Sequence, residues 1–235
     1  MLKTIKQWLN AAADVVMPRI CPVCGKALDG DEKWLCRKCL SALPRTRYED
    51  VDFNTMEQHF AGKVPIESAS AYFYYEKGSP YASILHDIKY HNLPGMGRWL
   101  MARAVRDMQG SHFFDGIDVV TAVPLHRSKL ARRGYNQSEY LARGIAEALS
   151  IPYIEALKAI RPHSTQTRKG ALERWQNIQD NYALNKNADQ LAGKHILLVD
   201  DVITTGSTLI VCATALKAIP NVKVSVFTLS SARLE

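Results

Sequence analysis

The sequence lacks an apolar run of about 20 residues, the length that a membrane-spanning helix requires. It also lacks the P-loop pattern GxxxxGK[ST] and the three-glycine dinucleotide fingerprint, so neither of those phosphate-binding loops is predicted. No internal repeat or low-complexity tract is evident. These absences argue against an integral membrane protein and against a repeat architecture.

Acidic residues are too few to balance the basic ones. The 235 residues include 30 Lys and Arg but 23 Asp and Glu, which gives a net charge of +7. Such an excess favours anionic partners such as phosphates or nucleic acid. The hydrophobic fraction of 47% is ordinary for a globular protein, and the length suits one large domain or a medium domain with an appendage.

The N-terminal stretch is not typical of a secretory signal peptide. Asn10 and Asp14 interrupt its apolar residues, and no small-x-small cleavage site follows. Leu2, Ile5 and Leu9 recur at helical spacing, so we predict an amphipathic helix that ends at Pro18. We therefore expect a cytoplasmic protein whose cysteines stay reduced.

Cysteine is scarce, but four of the five cysteines form two closely spaced pairs. Two residues separate the members of each pair, and eleven residues separate the pairs, which are Cys21 and Cys24, then Cys36 and Cys39. Two such turns can complete a closed tetrahedral Zn²⁺ site, which predicts a structural zinc ribbon and no catalysis there. Disulfides or redox pairs remain the alternative. Cys212 lies in an apolar run and is predicted to be inert core.

The chain divides into an N-terminal helix and zinc ribbon over 1–45, a connector over 46–65 and a main domain over 66–235. Apolar runs and helical periodicity alternate along the main domain. Strands are predicted over 66–75, 117–124, 151–160, 195–200 and 222–232, and helices over 81–92, 97–109, 137–150 and 207–219. This alternation predicts an α/β fold, a parallel sheet flanked by helices, with ligand-binding loops at the carboxyl ends of the strands.

The stretch LLVDDVITTGST carries the most informative pattern. Asp200 and Asp201 follow an apolar run, and a loop of small and hydroxyl residues leads into a predicted helix. The loop comprises Thr204, Thr205, Gly206, Ser207 and Thr208. A helix start with a close-approach glycine suits a phosphate, whereas two carboxylates would repel a phosphate and suit the hydroxyls of a sugar. The motif therefore suggests a ribose 5-phosphate. A Mg²⁺ site for phosphoryl transfer and a simply capped helix are the alternatives.

The motif ILLVDDVITTGST resembles the phosphoribosyl pyrophosphate (PRPP) signature of type I phosphoribosyltransferases. With the cysteine pairs in front, and with the blocks VPLHRSKLARRGYNQSEYLA and RPHSTQTRKGALERWQNIQDNYAL, the chain resembles the ComF family. The resemblance covers nearly the full length except 45–65. It implies a type I phosphoribosyltransferase-like fold, PRPP or a nucleotide-like ligand with Mg²⁺, and a part in natural transformation and the uptake of external DNA.

The resemblance also implies roles for individual residues. A pyrophosphate loop would comprise Pro124, Leu125, His126 and Arg127 and continue into Arg132, Arg133, Gly134, Asn136 and Gln137. A closing loop over 161–176 would supply Arg161, Arg168, Lys169 and Arg174. Arg and Lys are suitable types, since a guanidinium group bridges phosphate oxygens. No base-reading pattern is found in the ribbon or in 66–110, so the acceptor stays open.

Three functions remain open at this point. The first is a Mg²⁺-dependent phosphoribosyltransferase that displaces pyrophosphate from C1 of the ribose. The second is a PRPP- or nucleotide-binding protein without turnover that works in DNA uptake beside competence proteins such as a helicase. The third is a single-stranded DNA-binding protein that uses the same basic cleft, with aromatics such as Trp34 and Trp175.

Overall fold

The computed structural model describes residues 18–160 and 181–233. The predicted N-terminal helix and the 161–176 loop, with Arg161, Arg168, Lys169 and Arg174, lie outside the described residues. Within the described ranges, no helix combines the length and the apolar character needed to span a bilayer.

A four-stranded parallel sheet forms the centre of the main domain. Its strands are β1 (Ala69–Tyr75), β2 (Val119–Ala122), β5 (His195–Ile203) and β6 (Lys223–Ala232), in the order β1-β6-β5-β2. All three pairings are parallel. Strands buried on both faces read as nearly continuous apolar runs, which is why β5 and β6 are visible in the sequence. The predicted parallel sheet is confirmed.

Seven helices accompany these strands among the described residues. Two short ones come first, α1 (Arg37–Ser41) and α2 (Thr55–Gln58). The longer ones are α3 (Ala82–Tyr90), α4 (Pro94–Asp107), α5 (Arg127–Arg133), α6 (Gln137–Leu149) and α7 (Ser207–Lys217). The Asn136 side chain caps α6 by accepting the Ser138 N–H at 3.2 Å.

Two hydrophobic layers sandwich the sheet, and alternate residues of β5 enter each layer. Leu197 and Val199 pack with α3, α4, α6 and the cysteine segment. Ile196 and Leu198 pack with α7 and with residues of the 48–66 segment, among them the fully buried Phe60. The sheet is thus covered by helices on both faces, as parallel sheets are.

The strand predicted over 151–160 is wrong in its extent. Only β3 (Leu157–Ala159) forms a strand there, and it pairs antiparallel with β4 (Tyr182–Leu184) in a separate two-stranded sheet. Tyr153 makes an isolated bridge to Val120 at the edge of the main sheet. An apolar run next to a sheet edge can pack there without joining the ladder, and periodicity does not distinguish the two outcomes.

The cysteine segment packs on the main domain. Cys21 and Leu35 are buried in the same core as Leu100 of α4. The ring of Trp34 lies against Gly95, where an added Cβ would be 3.3 Å from the indole. Trp34 is therefore a packing residue at this junction. The boundaries at 45 and 65 remain a prediction.

Helices α4 and α6 cross at a glycine, which yields a stability prediction. A Cβ on Gly144 would collide with the backbone carbonyl of Arg98. We expect Gly144→Ala to lower the free energy of unfolding by about 2 kcal/mol or more, because backbone cannot move aside as a side chain can. Urea unfolding measures this. Gly110→Ala, where an added Cβ meets nothing within 4 Å, is the matched control, and equal losses in both variants would contradict the account.

Candidate functional site

The two adjacent aspartates lie within the last part of β5, not after it. The strand continues to Ile203, so Asp200 and Asp201 point to opposite faces of the sheet. Both nevertheless line one cleft of about 270 Å³ at the carboxyl end of the sheet. That volume lies close to the lower end of the range for small-ligand sites. Two larger cavities occur elsewhere in the described part of the chain, but neither includes a residue of the DDVITTGST motif.

Asp201 is buried and incompletely satisfied. The residue is 4% exposed, and its Oδ2 accepts no hydrogen bond from any described residue. Lys89 Nζ of α3 lies 3.1 Å from that oxygen, which is ion-pair distance without hydrogen-bond geometry. A buried carboxylate oxygen without a hydrogen-bond donor is costly, so the site favours a ligand that supplies one.

Asp200 is fixed by two donors. Its Oδ1 accepts hydrogen bonds from Ser138 Oγ at 2.7 Å and from the Asp201 N–H at 2.9 Å. Burial raises the pKa of Asp200 to about 7, and the charge of Asp201 adds to the rise. The two donors and the Lys89 ammonium oppose this shift. The pair is therefore held in place against its own repulsion.

The hydroxyl loop leads into α7 as the sequence predicts. Gly206 precedes the helix with a φ of 73°, the left-handed region that glycine tolerates best. An added Cβ there would lie 3.2 Å from the Cβ of His59, so the site is also sterically tight. Thr205 Oγ1 and Ser207 Oγ lie 3.0 Å apart, and Thr208 lines the cleft. The first-turn N–H groups of α7 provide a place for an anion.

The loop after β2 forms the opposite wall. Pro124, Leu125 and His126 line the cleft, and His126 Nδ1 accepts the Ser128 N–H at the start of α5. Arg133 also lines the cleft and donates to Gln137 Oε1. Asn136 ties this wall to β2 through a 3.1 Å hydrogen bond from Nδ2 to the Val123 carbonyl.

Some predicted residues stand apart from the cleft lining. Arg127 and Arg132 are exposed on α5, and Thr204, Thr205, Gly206 and Ser207 flank the cleft through the α7 turn. Their contact with a ligand remains a prediction.

Sequence reasoning missed several residues that line the cleft. These are Lys89, Tyr90, Lys129, Ser138, Ala159 and Tyr182. Ser138 had a usable signal, since Asn136 is a strong helix N-cap and sets the residues after it at a helix start. Lys89 and Tyr90 had none, because they lie more than a hundred residues from the aspartates in the chain.

The four paired cysteines converge on one point. Their Sγ atoms all lie within 4.8 Å of one another, and Cys24 Sγ and Cys36 Sγ are 3.7 Å apart. Tetrahedral zinc with Zn–S bonds near 2.3 Å requires sulfur–sulfur distances of about 3.8 Å. The cluster could therefore hold a metal such as zinc.

Comparison with known proteins agrees with this geometry. The phosphoribosyl transferase domain model matches residues 135–230, which include β5, α7 and most of β6. Competence protein F of Haemophilus influenzae is 32% identical over 134 residues, which cover 55% of this chain and 58% of that protein. The DNA utilization protein YhgH of Escherichia coli K12 is 26% identical over 193 residues, which cover 80% of each. The match to the competence protein thus spans little more than half of that relative's length.

The similarities between this chain and solved structures are weaker. A glutamine PRPP amidotransferase from B. subtilis is 25% identical with a TM-score of 0.37, covering 55% of this chain and 26% of that one. An adenine phosphoribosyltransferase from Saccharomyces cerevisiae is 16% identical with a TM-score of 0.38, covering 60% and 71%. The domain match, the two curated relatives, the parallel sheet and the cysteine cluster support a ComF-family, phosphoribosyltransferase-like protein.

Proposed function

We propose that the cleft binds PRPP or a related ribose 5-phosphate ligand, and that the protein acts in the uptake or processing of external DNA. The observation that carries the proposal is the buried Oδ2 of Asp201, which belongs to a residue of the cleft lining and accepts no hydrogen bond from the described residues. A ribose hydroxyl is a neutral donor that would satisfy this oxygen without adding charge.

The ring hydroxyls of the sugar would lie between the two aspartates. Asp200 already accepts from Ser138, and a carboxylate has further lone pairs for a second donor. A phosphate in the same place would face two carboxylates and is excluded by repulsion. The diol therefore belongs at Asp200 and Asp201, and the 5-phosphate belongs further along the loop.

The 5-phosphate would lie at the α7 turn. Gly206 allows close approach of the backbone, and the first N–H groups of α7 and the hydroxyls of Thr205 and Ser207 would donate to the phosphate oxygens. The loop separates this point from the carboxylates by three residues or more.

The pyrophosphate would lie against the wall formed by His126, Lys129 and Arg133, all of which line the cleft. Mg²⁺ would accompany the pyrophosphate and neutralise its charge. Arg161, Arg168, Lys169 and Arg174 remain the candidates for closing the site. Transfer of the ribose 5-phosphate to an acceptor would need that closure to exclude water.

The biological role is inferred from the relatives. One is named a competence protein and the other a DNA utilization protein, which supports a role in handling external DNA. Binding of single-stranded DNA is a second candidate, favoured by the exposed basic residues Arg127 and Arg132 beside the cleft and the net charge of +7. A helicase or another competence protein as partner, and a cytoplasmic location, remain predictions.

The cysteine cluster is proposed to hold a structural Zn²⁺ ion. Four thiolates fill every position of a tetrahedral site, so no open position is left for a substrate or a reactive water. The ion would fix the two turns that present Cys21 and Leu35 to the core of the main domain.

Replacement of both carboxylates tests the sugar site. Asp200→Asn with Asp201→Asn should weaken Mg²⁺–PRPP binding at least about a hundredfold, because two charge-assisted hydrogen bonds are lost. Isothermal titration calorimetry measures the affinity of the variant and of the wild type for Mg²⁺–PRPP. Asp115→Asn with Asp118→Asn makes the same change in charge outside the cleft lining and should bind normally. Normal PRPP binding by the 200/201 variant would show that the sugar lies elsewhere.

The raised pKa of Asp200 predicts a dependence of stability on pH. Between about pH 4 and pH 7 the folded protein retains a proton that the unfolded chain has lost, so stability falls as the pH rises through this window. An asparagine side chain does not ionise. Without ligand, the Asp200→Asn variant should therefore have a higher unfolding temperature than the wild type at pH 8. The difference between the two unfolding temperatures should shrink towards pH 5. Differential scanning calorimetry at several pH values measures this difference. A difference that does not change with pH would refute the raised pKa of Asp200.

Loss of one thiolate tests the zinc site. Cys21→Ser should lose bound zinc and lower the unfolding temperature, since Cys21 is 0% exposed within the shared core. Native mass spectrometry reports the metal content. Cys212→Ala removes a buried thiol of the other core and should retain one zinc per chain. Full zinc content in the Cys21 variant would rule out a four-thiolate site.

A further inference from the structure

The C-terminal end of α3 brings three metal-ligating side chains together outside the cleft lining. They are His86, Asp87 and His91, and one ligand atom from each lies within 4.8 Å of the other two. In the described part of the chain, the cysteine cluster is the other group of this kind. None of the three residues lines the cleft that Asp200 and Asp201 share, so the sugar site does not account for them.

The two imidazoles face the same carboxylate oxygen. Asp87 Oδ1 lies 2.7 Å from Nδ1 of His91 and 3.8 Å from Nδ1 of His86. Around a tetrahedral ion with bonds of about 2.0 Å, neighbouring ligand atoms lie about 3.3 Å apart, so the two distances bracket the required value. Both histidine side chains are more than half exposed and their rings are free to rotate towards an ion. Small side-chain movements therefore complete a site with three protein ligands.

An ordinary helical hydrogen bond does not account for this group. His112 and Asp115 form such a pair at 2.8 Å, but both side chains are highly exposed and no third ligand joins them in the described part of the chain. The Asp87 side chain is 15% exposed, and the second imidazole, of His86, lies beside it at a distance too long for a hydrogen bond. A shielded carboxylate between two imidazoles is a suitable donor set for a metal ion.

The position in the helix favours a cation. The carbonyl groups of the last turn form the negative end of the helix dipole, and the Asp87 carboxylate lies in that turn of α3. Lys89 lies in the same turn, but its ammonium is 3.1 Å from Asp201 and is thus directed at the cleft carboxylate. The electrostatics at this helix end therefore suit a positive ion.

We propose that His86, Asp87 and His91 form a second metal site, which binds a first-row transition ion such as Zn²⁺. Imidazole nitrogen suits Zn²⁺, Co²⁺ and Ni²⁺, whereas Mg²⁺ prefers oxygen ligands, so this ion differs from the one proposed to accompany PRPP. Three protein ligands leave the fourth tetrahedral position open to water or to an anionic ligand. The bound ion joins the last turn of α3 to its C-cap residue and fixes the helix end that supplies Lys89 to the cleft.

The zinc content of the full-length protein tests the proposal. Native mass spectrometry in the presence of Zn²⁺ should show one more ion per chain for the wild type than for the variant with His86→Ala and His91→Ala. Asp87→Ala should weaken binding of that ion more than about a hundredfold by isothermal titration calorimetry, because even outer-shell changes cost ten- to a hundredfold. His112→Ala, which alters the ordinary pair, is the matched control and should retain the ion. Equal zinc content in the wild type and the double variant would overturn the site.

Co²⁺ provides a second measurement that needs no variant. Bound to nitrogen and oxygen ligands it shows visible d–d bands without the thiolate charge-transfer bands that the cysteine cluster would produce. We expect one equivalent of Co²⁺ with the first kind of spectrum, and a large excess of Mg²⁺ should not displace it. Cobalt binding confined to the thiolate spectrum, or displacement by Mg²⁺, would contradict the proposal. Neither measurement uses PRPP, so the outcome is independent of the sugar site.

Discussion

Two carboxylates held side by side in a largely buried setting are the constraint on which the site depends. Asp200 and Asp201 repel each other, and burial already disfavours the charge of Asp200. Two helices that pack on one face of the sheet compensate, with Lys89 of α3 near Asp201 and Ser138 of α6 bonded to Asp200. Each carboxylate is thereby tied to a different helix, and residues of both helices line the cleft at the end of β5.

Much of the fold could be predicted because it has local signals. β5, β6 and α7 follow from apolar runs and periodicity, and the cysteine cluster follows from spacing. The extent of β3 and the existence of β4 do not follow from the sequence, because strands of three residues carry too few positions to show a period. Helix α5 was missed for another reason: it buries none of its residues, so it has no apolar face to detect.

The candidate site also has one part that the sequence predicts and another part that it does not. The DDVITTGST motif is contiguous, and its residue types alone suggest a sugar phosphate. The side chains that complete the cleft come from distant elements, as Lys89 does, and their neighbours are set by tertiary packing that a single sequence does not reveal. Tyr90 shows this most clearly, since a tyrosine at a helix end has no sequence feature that separates it from an ordinary surface residue.

The most direct test of the central claim is a crystal structure of the protein with Mg²⁺ and PRPP bound. The account predicts that ribose hydroxyls lie within hydrogen-bond distance of Asp201 Oδ2 and of Asp200, with the 5-phosphate at the start of α7. A ligand bound elsewhere, or a phosphate group seated against the two carboxylates, would contradict it.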